Sequence, residues 1–323
     1  MSSPASKRIV ADPHEDGSGF WDKVGKTLRF HATNARVSLR AARWQVGQWP
    51  AERPVFIVSC SRSGTQMLYK TLSQSQAIGS LNREIYAVWS RLHAPHHKHW
   101  DSHVLDAEDV EPGERDFITR YFYARTGQRR FVDKNNQHGL AVPYLHALYP
   151  DARFVYIKRN PGDTLNSMIE GWHRPERYAT WSAGLPAQVQ IDGGRFTRWC
   201  HFLPEGWREY LRASLEEVNA FQYASIHRAI REASRAIPAE QWHEVFYEDV
   251  VRDPVETLRQ VFAHCDLPFT PAIEAHCSSL LDKPYDAFSE IRLDKWRDQR
   301  HRERIERVLP GLEGLARDLG YRV

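Results

Sequence analysis

Apolar residues in this chain fall into short runs separated by stretches with helical spacing, and that alternation sets the expected architecture. Val55-Phe56-Ile57-Val58, bounded by Pro54 and by polar positions from Ser59 onward, reads as a central parallel strand. Behind it, Met67, Leu68, Thr71 and Leu72 recur at helical intervals and predict a helix over 66–76. A second strand is expected at Arg130-Phe131-Val132. A third, at Phe154-Val155-Tyr156-Ile157, follows a helix over 140–149 and the loop Tyr149-Pro150-Asp151. A long helix over about 215–235 leads to a fourth strand around Val245-Phe246-Tyr247. Pro254 then opens a helix carrying Val255, Leu258, Val261 and Phe262. Strands separated by helices predict an α/β fold, a parallel sheet flanked by helices. No internal repeat is present.

Two stretches break the alternation. Residues 89–116 are His-rich and acidic, with His93, His96, His97, His99 and His103, and residues 171–212 hold Trp172, Trp181, Trp199 and Trp207. Both read as insertions forming a lid over the strand ends, where ligands bind in such sheets. Residues 1–19 are polar, and 20–48 read as a basic amphipathic helix. Its cations are Lys23, Lys26, Arg29, Arg36, Arg40 and Arg43, set among Trp21, Val24, Leu28, Val37, Leu39 and Trp44. Packing on its own domain is the first expectation for this helix, and an anionic membrane surface is the alternative. The expected plan is therefore an N-terminal tail and helix over 1–48 and one domain over 49–323.

Composition narrows the function. A chain of 323 residues has room for one large α/β domain. Its 44 basic residues face 41 acidic ones, a net charge of +3, which argues against a nucleic-acid coat. The cysteines at 60, 200, 265 and 277 show no C-x-x-C spacing, so no zinc or redox site is expected. Neither a signal-type stretch nor a bilayer span is evident, and a cytoplasmic protein is expected.

The chemistry concentrates in two loops. Ser59-Cys60-Ser61-Arg62-Ser63-Gly64-Thr65-Gln66 joins the first strand to a helix, so backbone N–H groups and the helix dipole can cradle a phosphate or sulfate. Arg62 adds a fixed charge. The loop has the length of a Walker A loop but has Thr65-Gln66 where that motif has Lys-Ser/Thr. This disfavours a P-loop kinase or nucleotide hydrolase. The second loop, Arg159-Asn160-Pro161-Gly162-Asp163-Thr164-Leu165-Asn166-Ser167, leaves the third strand. Arg159 can fork onto a phosphate, Pro161 can open a helix, and Ser167 lies about two turns on.

These segments resemble the PAPS-dependent sulfotransferases, which use 3′-phosphoadenosine 5′-phosphosulfate and have a P-loop-like nucleotide-binding fold. The first loop is similar to the family's phosphosulfate loop P-[KR]-S-G-T, with Ser61 in place of Pro, and the second carries its 3′-phosphate motif R-[ND]-P-x-D-x-x-x-S. Phe246-Tyr247-Glu248-Asp249-Val250 with Asp253-Pro254 resembles the Y-E-D-L-x-x-D-P segment, and Lys295-Trp296 the K-W segment that closes over the cofactor. The resemblance implies that Arg62, Ser63, Gly64, Thr65, Gln66, Met67, Arg159, Ser167, Tyr247, Lys295 and Trp296 bind the co-substrate, with Tyr247 against the adenine.

Sulfuryl transfer needs in-line geometry, charge stabilisation and a base for the incoming hydroxyl. Arg62 and Lys134 are the expected charge-stabilising groups. The K-[ST]-H base of some members is replaced by Lys134-Asn135-Asn136. The alternative family pattern has a Glu about twenty residues after the loop, and Asn82-Arg83-Glu84-Ile85 supplies it, so Glu84 is assigned as general base. A histidine from 93–103 is the substitute, and an ion pair the competing use of Glu84. The histidines match no zinc pattern and read as a solvated loop, and no metal is expected. The acceptor is left open among small-molecule, carbohydrate, lipid and peptide hydroxyls. The four tryptophans suggest stacking on a sugar or aromatic group. A non-catalytic anion-binding or membrane-surface module is the remaining alternative.

Overall fold

The computed structural model describes residues 20–282 and 291–321, with side chains from residue 30 onward. The tail 1–19 and the side chains of Trp21, Lys23, Val24, Lys26, Leu28 and Arg29 therefore lie outside the described residues. Strands β1 (Val55–Val58), β2 (Val132–Lys134), β3 (Arg153–Lys158) and β4 (Trp242–Phe246) form one sheet in the order β2-β1-β3-β4. Every pairing is parallel, with Ile57 beside both Lys134 and Val155 and Val58 beside Tyr156. The carboxyl ends of β1, β2 and β3 thus emerge side by side.

The helices are α1 (Phe20–Gly47), α2 (Thr65–Leu72), α3 (Tyr86–His93), α4 (Glu114–Thr126), α5 (Val142–Leu148) and α6 (Pro161–Trp172). There follow the one-turn α7 (Pro175–Tyr178) and α8 (Ile191–Gly194), the long α9 (Leu215–Ser234), then α10 (Tyr247–Arg252) and α11 (Pro254–His264). Helices α12 (Pro271–Ser278), α13 (Arg302–Val308) and α14 (Glu313–Asp318) complete the chain. Successive strand residues face opposite sides of the sheet, and both sides are covered. Val55, Ile57, Val132, Val155, Ile157 and Val245 pack with residues of α2 and α11, including Leu68 and Phe262. Phe56, Phe154 and Tyr156 face the larger core, with residues of α5, α6 and α9. Truncating a fully buried aromatic such as Phe56 to Ala is expected to cost about 3–5 kcal/mol.

Local signals explain the helix boundaries. Pro161 occupies the first turn of α6, and Asn160 caps it by accepting from the Asp163 amide at 2.8 Å. Ser214 and Glu217 form a capping box at the start of α9.

Four expectations need correction. The second strand lies two residues later than read, because the polar pair Asp133-Lys134 is inside it. Asp133 is fully buried and accepts from Trp89 Nε1 at 2.7 Å and bonds His138 Nε2 at 2.9 Å, which makes an acidic side chain compatible with a buried strand at the sheet's edge. The fourth strand ends at Phe246, so Tyr247 opens α10 rather than closing the strand. Trp172, Trp199 and Trp207 are buried in one aromatic cluster, with ring centroids 5.9 Å and 5.5 Å apart, and so offer no face to an acceptor. The His-rich stretch is not simply a solvated loop. His93 is bonded to Glu114 at 2.9 Å, and His103 is buried with Nδ1 on the Leu203 amide at 2.7 Å. Helix α1 does pack on α4, with Arg40 donating to the Arg125 carbonyl at 3.3 Å. Among the described residues no helix is long and apolar enough to cross a membrane.

Candidate active site

The site is built from the loops that leave the strand ends. The turn after β1 brings Ser59 Oγ to the Ile157 carbonyl at 2.5 Å, tying the loop to β3. Gly64 has φ 95°, and a Cβ there would collide with the ring of Tyr247, so two independent constraints call for glycine. Helix α2 starts at Thr65 with no side-chain cap, leaving its first amides available to an anion. Arg62 is a non-glycine residue in the left-handed region, at φ 72°. Such a conformation costs energy and is held only where surrounding contacts over-determine it. Here Arg62 donates from Nε to Ser167 Oγ at 3.1 Å and from Nη1 to the Tyr178 hydroxyl at 2.6 Å. The hydroxyls of Ser61 and Ser63 are buried without a hydrogen-bond partner.

Arg159, at the end of β3, approaches from the other side. Its Nη1 donates to the Arg62 carbonyl at 3.1 Å, and its guanidinium lies 4.3 Å from the centre of the Tyr247 ring. Asp163 is 3.7 Å from Nη2, beyond hydrogen-bonding distance, and both Nε and Nη2 are buried without a hydrogen-bond partner. Unsatisfied buried donors on a cation are costly to the fold and are a strong sign of a place for an anion. Arg62 therefore joins the two loops, with its carbonyl on Arg159 and its side chain on Ser167.

A cavity of about 420 Å³ opens between these loops. It gathers Arg62, Gly64, Thr65, Gln66 and Met67 from the first loop and Arg159 and Ser167 from the second. Glu84, Lys134 and Tyr247 complete the expected residues in its wall. Glu84 forms an ion pair with Lys134, whose side chain is 5% exposed against 34% for Glu84. Ser63, Lys295 and Trp296 do not line the cavity. Trp296 is buried against Gly162 at the start of α6, and the amides of Asp294 and Trp296 donate to the Asp163 carboxylate at 2.9 and 3.1 Å. That segment braces the second loop from behind. Burial raises the Tyr247 hydroxyl above its usual value.

Residues 54–271 match the model of the sulfotransferase family. The chain belongs to that family. It is 23% identical over 171 residues to the omega-hydroxy-beta-dihydromenaquinone-9 sulfotransferase of Mycobacterium bovis, covering 50% of this chain and 37% of that relative's length. Among solved structures, a sulfotransferase from Alicyclobacillus acidocaldarius matches with TM-score 0.49 and 18% identity, covering 84% of this chain and 98% of that one. A mouse sulfotransferase complexed with PAP matches with TM-score 0.46 and 15% identity, covering 88% and 94%.

The sulfotransferase cavity also has walls that sequence spacing did not reveal: Asn82, Arg83, Asn136, Arg177, Tyr178 and Ile291. Arg83 and Asn136 adjoin expected residues and were within reach of the motif reading. Tyr178 was not, since it meets Arg62 across 116 residues of sequence. Of the two expected lid segments, 171–212 supplies Arg177 and Tyr178, whereas no residue of 89–116 lines the cavity. His93, His96 and His97 are therefore not in the cavity wall with Glu84. His103, His201 and His227 are each pushed down to about 3 by burial, which keeps them neutral structural groups.

Proposed function

We propose that this sulfotransferase takes a sulfuryl group from PAPS and places it on the hydroxyl of a small-molecule acceptor, with Glu84 as general base. The observation that carries the reading is the pair of unpartnered donors on buried Arg159, set in one cavity with Ser167 and the amide-rich turn at Gly64. A nucleotide with phosphate at both ends satisfies both features at once. In this reading Arg159 and Ser167 hold the 3′-phosphate. The α2 amides and Arg62 hold the phosphosulfate, while Tyr247 supplies an aromatic wall.

The charge arrangement suits the reaction. As the S–O bond to the phosphate breaks, negative charge grows on the bridging oxygen, and Arg62 and Lys134 are two of the cations in the cavity wall. The acceptor hydroxyl oxygen bonds to sulfur, its proton passes to the Glu84 carboxylate, and PAP leaves with the electron pair of the broken bond. The Glu84–Lys134 ion pair holds that carboxylate in place before the acceptor arrives. No metal takes part in these steps. The name of the Mycobacterium bovis relative specifies a hydroxylated menaquinone derivative. We accordingly place the acceptor among small hydroxylated molecules. Incubation with ³⁵S-labelled PAPS and a cellular metabolite extract, in EDTA, should yield a labelled product that Glu84→Gln does not form. Absence of any wild-type label transfer, with PAP binding also absent, would overturn the assignment.

A further inference from the structure

The four large hydrophobic side chains exposed among the described residues are Phe30, Leu39, Val46 and Leu92, and three of them belong to α1. Their exposures of 63%, 71% and 90% for Phe30, Leu39 and Val46 stand out among the described residues, whose other large apolar side chains, Leu92 apart, are buried or half-buried. The helix has two different faces. Toward the domain, Trp44 is buried and Val37, Arg40 and Ala41 are half-buried, with the Arg40 guanidinium on the carbonyl of Arg125. Away from it, Ala32, Ala35, Leu39, Ala42 and Val46 recur at intervals of three and four and are all exposed. The same spacing runs upstream in the sequence through Leu28, Val24 and Trp21.

This outward stripe has a charged border. Arg36 and Arg43 are exposed at positions that flank it, and Arg29 continues the same seven-residue interval in the sequence. No acidic residue occurs from Lys23 to Ala51. A second copy of the chain is a poor occupant, because neither parallel nor antiparallel pairing of two such helices brings a carboxylate to these arginines. An anionic lipid surface meets both features, taking the apolar stripe into its interface and the arginines among its head groups.

We propose that α1 docks the protein on anionic membranes, with Leu39 and Val46 entering the interface and Arg36 and Arg43 on lipid phosphates. The domain-facing side of α1, through Trp44 and Arg40, holds the cavity-bearing domain against the surface. The proposal does not rest on the sulfotransferase reading and would stand or fall separately from PAP binding.

Co-sedimentation of the full chain with mixed phosphatidylglycerol–phosphatidylcholine vesicles tests it. The wild type should pellet with the mixed vesicles, remain in solution with phosphatidylcholine alone, and be released by high salt. Arg36→Gln with Arg43→Gln should lower partitioning by roughly tenfold to thirtyfold. Leu39→Gln with Val46→Gln should lower it too, and each variant should keep wild-type melting. Arg43 lies 5.4 Å from the Trp49 ring, so Arg36→Gln alone serves if the double variant melts early. Equal binding to neutral vesicles, or no binding to either, would overturn the proposal. So would a solution dimer that the Leu39/Val46 variant dissolves, which would assign the stripe to a second copy.

Discussion

Replacing Arg159 by Met separates a ligand-binding role from a structural one. In the fold the guanidinium is buried, bonds one carbonyl, and leaves Nε and Nη2 without hydrogen-bond partners. Its desolvation is already complete before a ligand arrives, so a 3′-phosphate gains two charge-assisted bonds with little further dehydration of the protein. The bidentate contact as a whole is taken to contribute about 1.5–3 kcal/mol net. The Kd for PAP should therefore rise by about 10–150-fold in Arg159→Met. AMP lacks the 3′-phosphate, and its Kd should stay within about threefold of wild type. Stability should behave differently. The substitution takes the cation 3.7 Å from buried Asp163, but Asp163 keeps its bonds from Asn160 and from the amides of Asp294 and Trp296, which hold its carboxylate. The variant should stay within about 1 kcal/mol of wild type, a Tm change of about 1.5 °C for a chain of this size. Calorimetric titration with both nucleotides, alongside thermal melting, gives all three quantities. Equal losses for PAP and AMP would show that Arg159 does not read the 3′-phosphate. A collapse in Tm would show that it is a structural residue.

Glu84→Gln keeps the shape of the side chain but removes the proton acceptor, so kcat should fall by about 10²–10⁴ while the Kd for PAP changes only a few-fold; near-normal turnover would reject the base assignment. Tyr178→Phe removes the hydroxyl that accepts from Arg62 and should weaken PAP binding several-fold, by about 0.5–1.5 kcal/mol, without lowering Tm in proportion; unchanged affinity would make the contact incidental. His103, His201 and His227 are held near 3 in the fold against a usual 6.5, so the unfolded chain binds more protons between those values. From these three rings stability should be level between about pH 7 and 8 and fall as pH drops below about 6.5, by up to about 4 kcal/mol per pH unit near pH 5. Denaturant melts that stay flat down to pH 5 would contradict the burial of these rings.

The β1 strand and the helices around it were legible because their apolar spacing is dictated by burial on two faces. Both anion loops were legible for a different reason: Gly64, Pro161 and Arg159 are each required by backbone shape or charge at one place, so they survive as a short local pattern. β2 was misplaced because Asp133 and Lys134 are polar, and what admits them to a buried strand is a set of distant partners, Trp89, His138 and Glu84. Tyr178 was missed on the same grounds, since no local spacing announces a hydroxyl that meets Arg62 from another segment. The tryptophans misled in the opposite direction. Residue type suggested stacking on a ligand, while Trp199 Nε1 donates to the Phe202 carbonyl at 2.8 Å and Trp207 Nε1 to the Trp100 carbonyl at 2.9 Å, deep in the core. The Lys295-Trp296 segment was found, but the structure sets it behind the second loop rather than in the cavity wall.

Calorimetric titration of the wild-type chain with PAP in the presence of EDTA tests the central claim most directly. The two anion-binding loops share one cavity, with Arg62 bonded to both Arg159 and Ser167, so a nucleotide with phosphates at its 3′ and 5′ positions should bind once per chain and without metal. Binding should raise Tm as PAP concentration rises. No heat and no thermal shift with PAP would contradict the account, as would binding of ATP that requires Mg²⁺ and is abolished by EDTA.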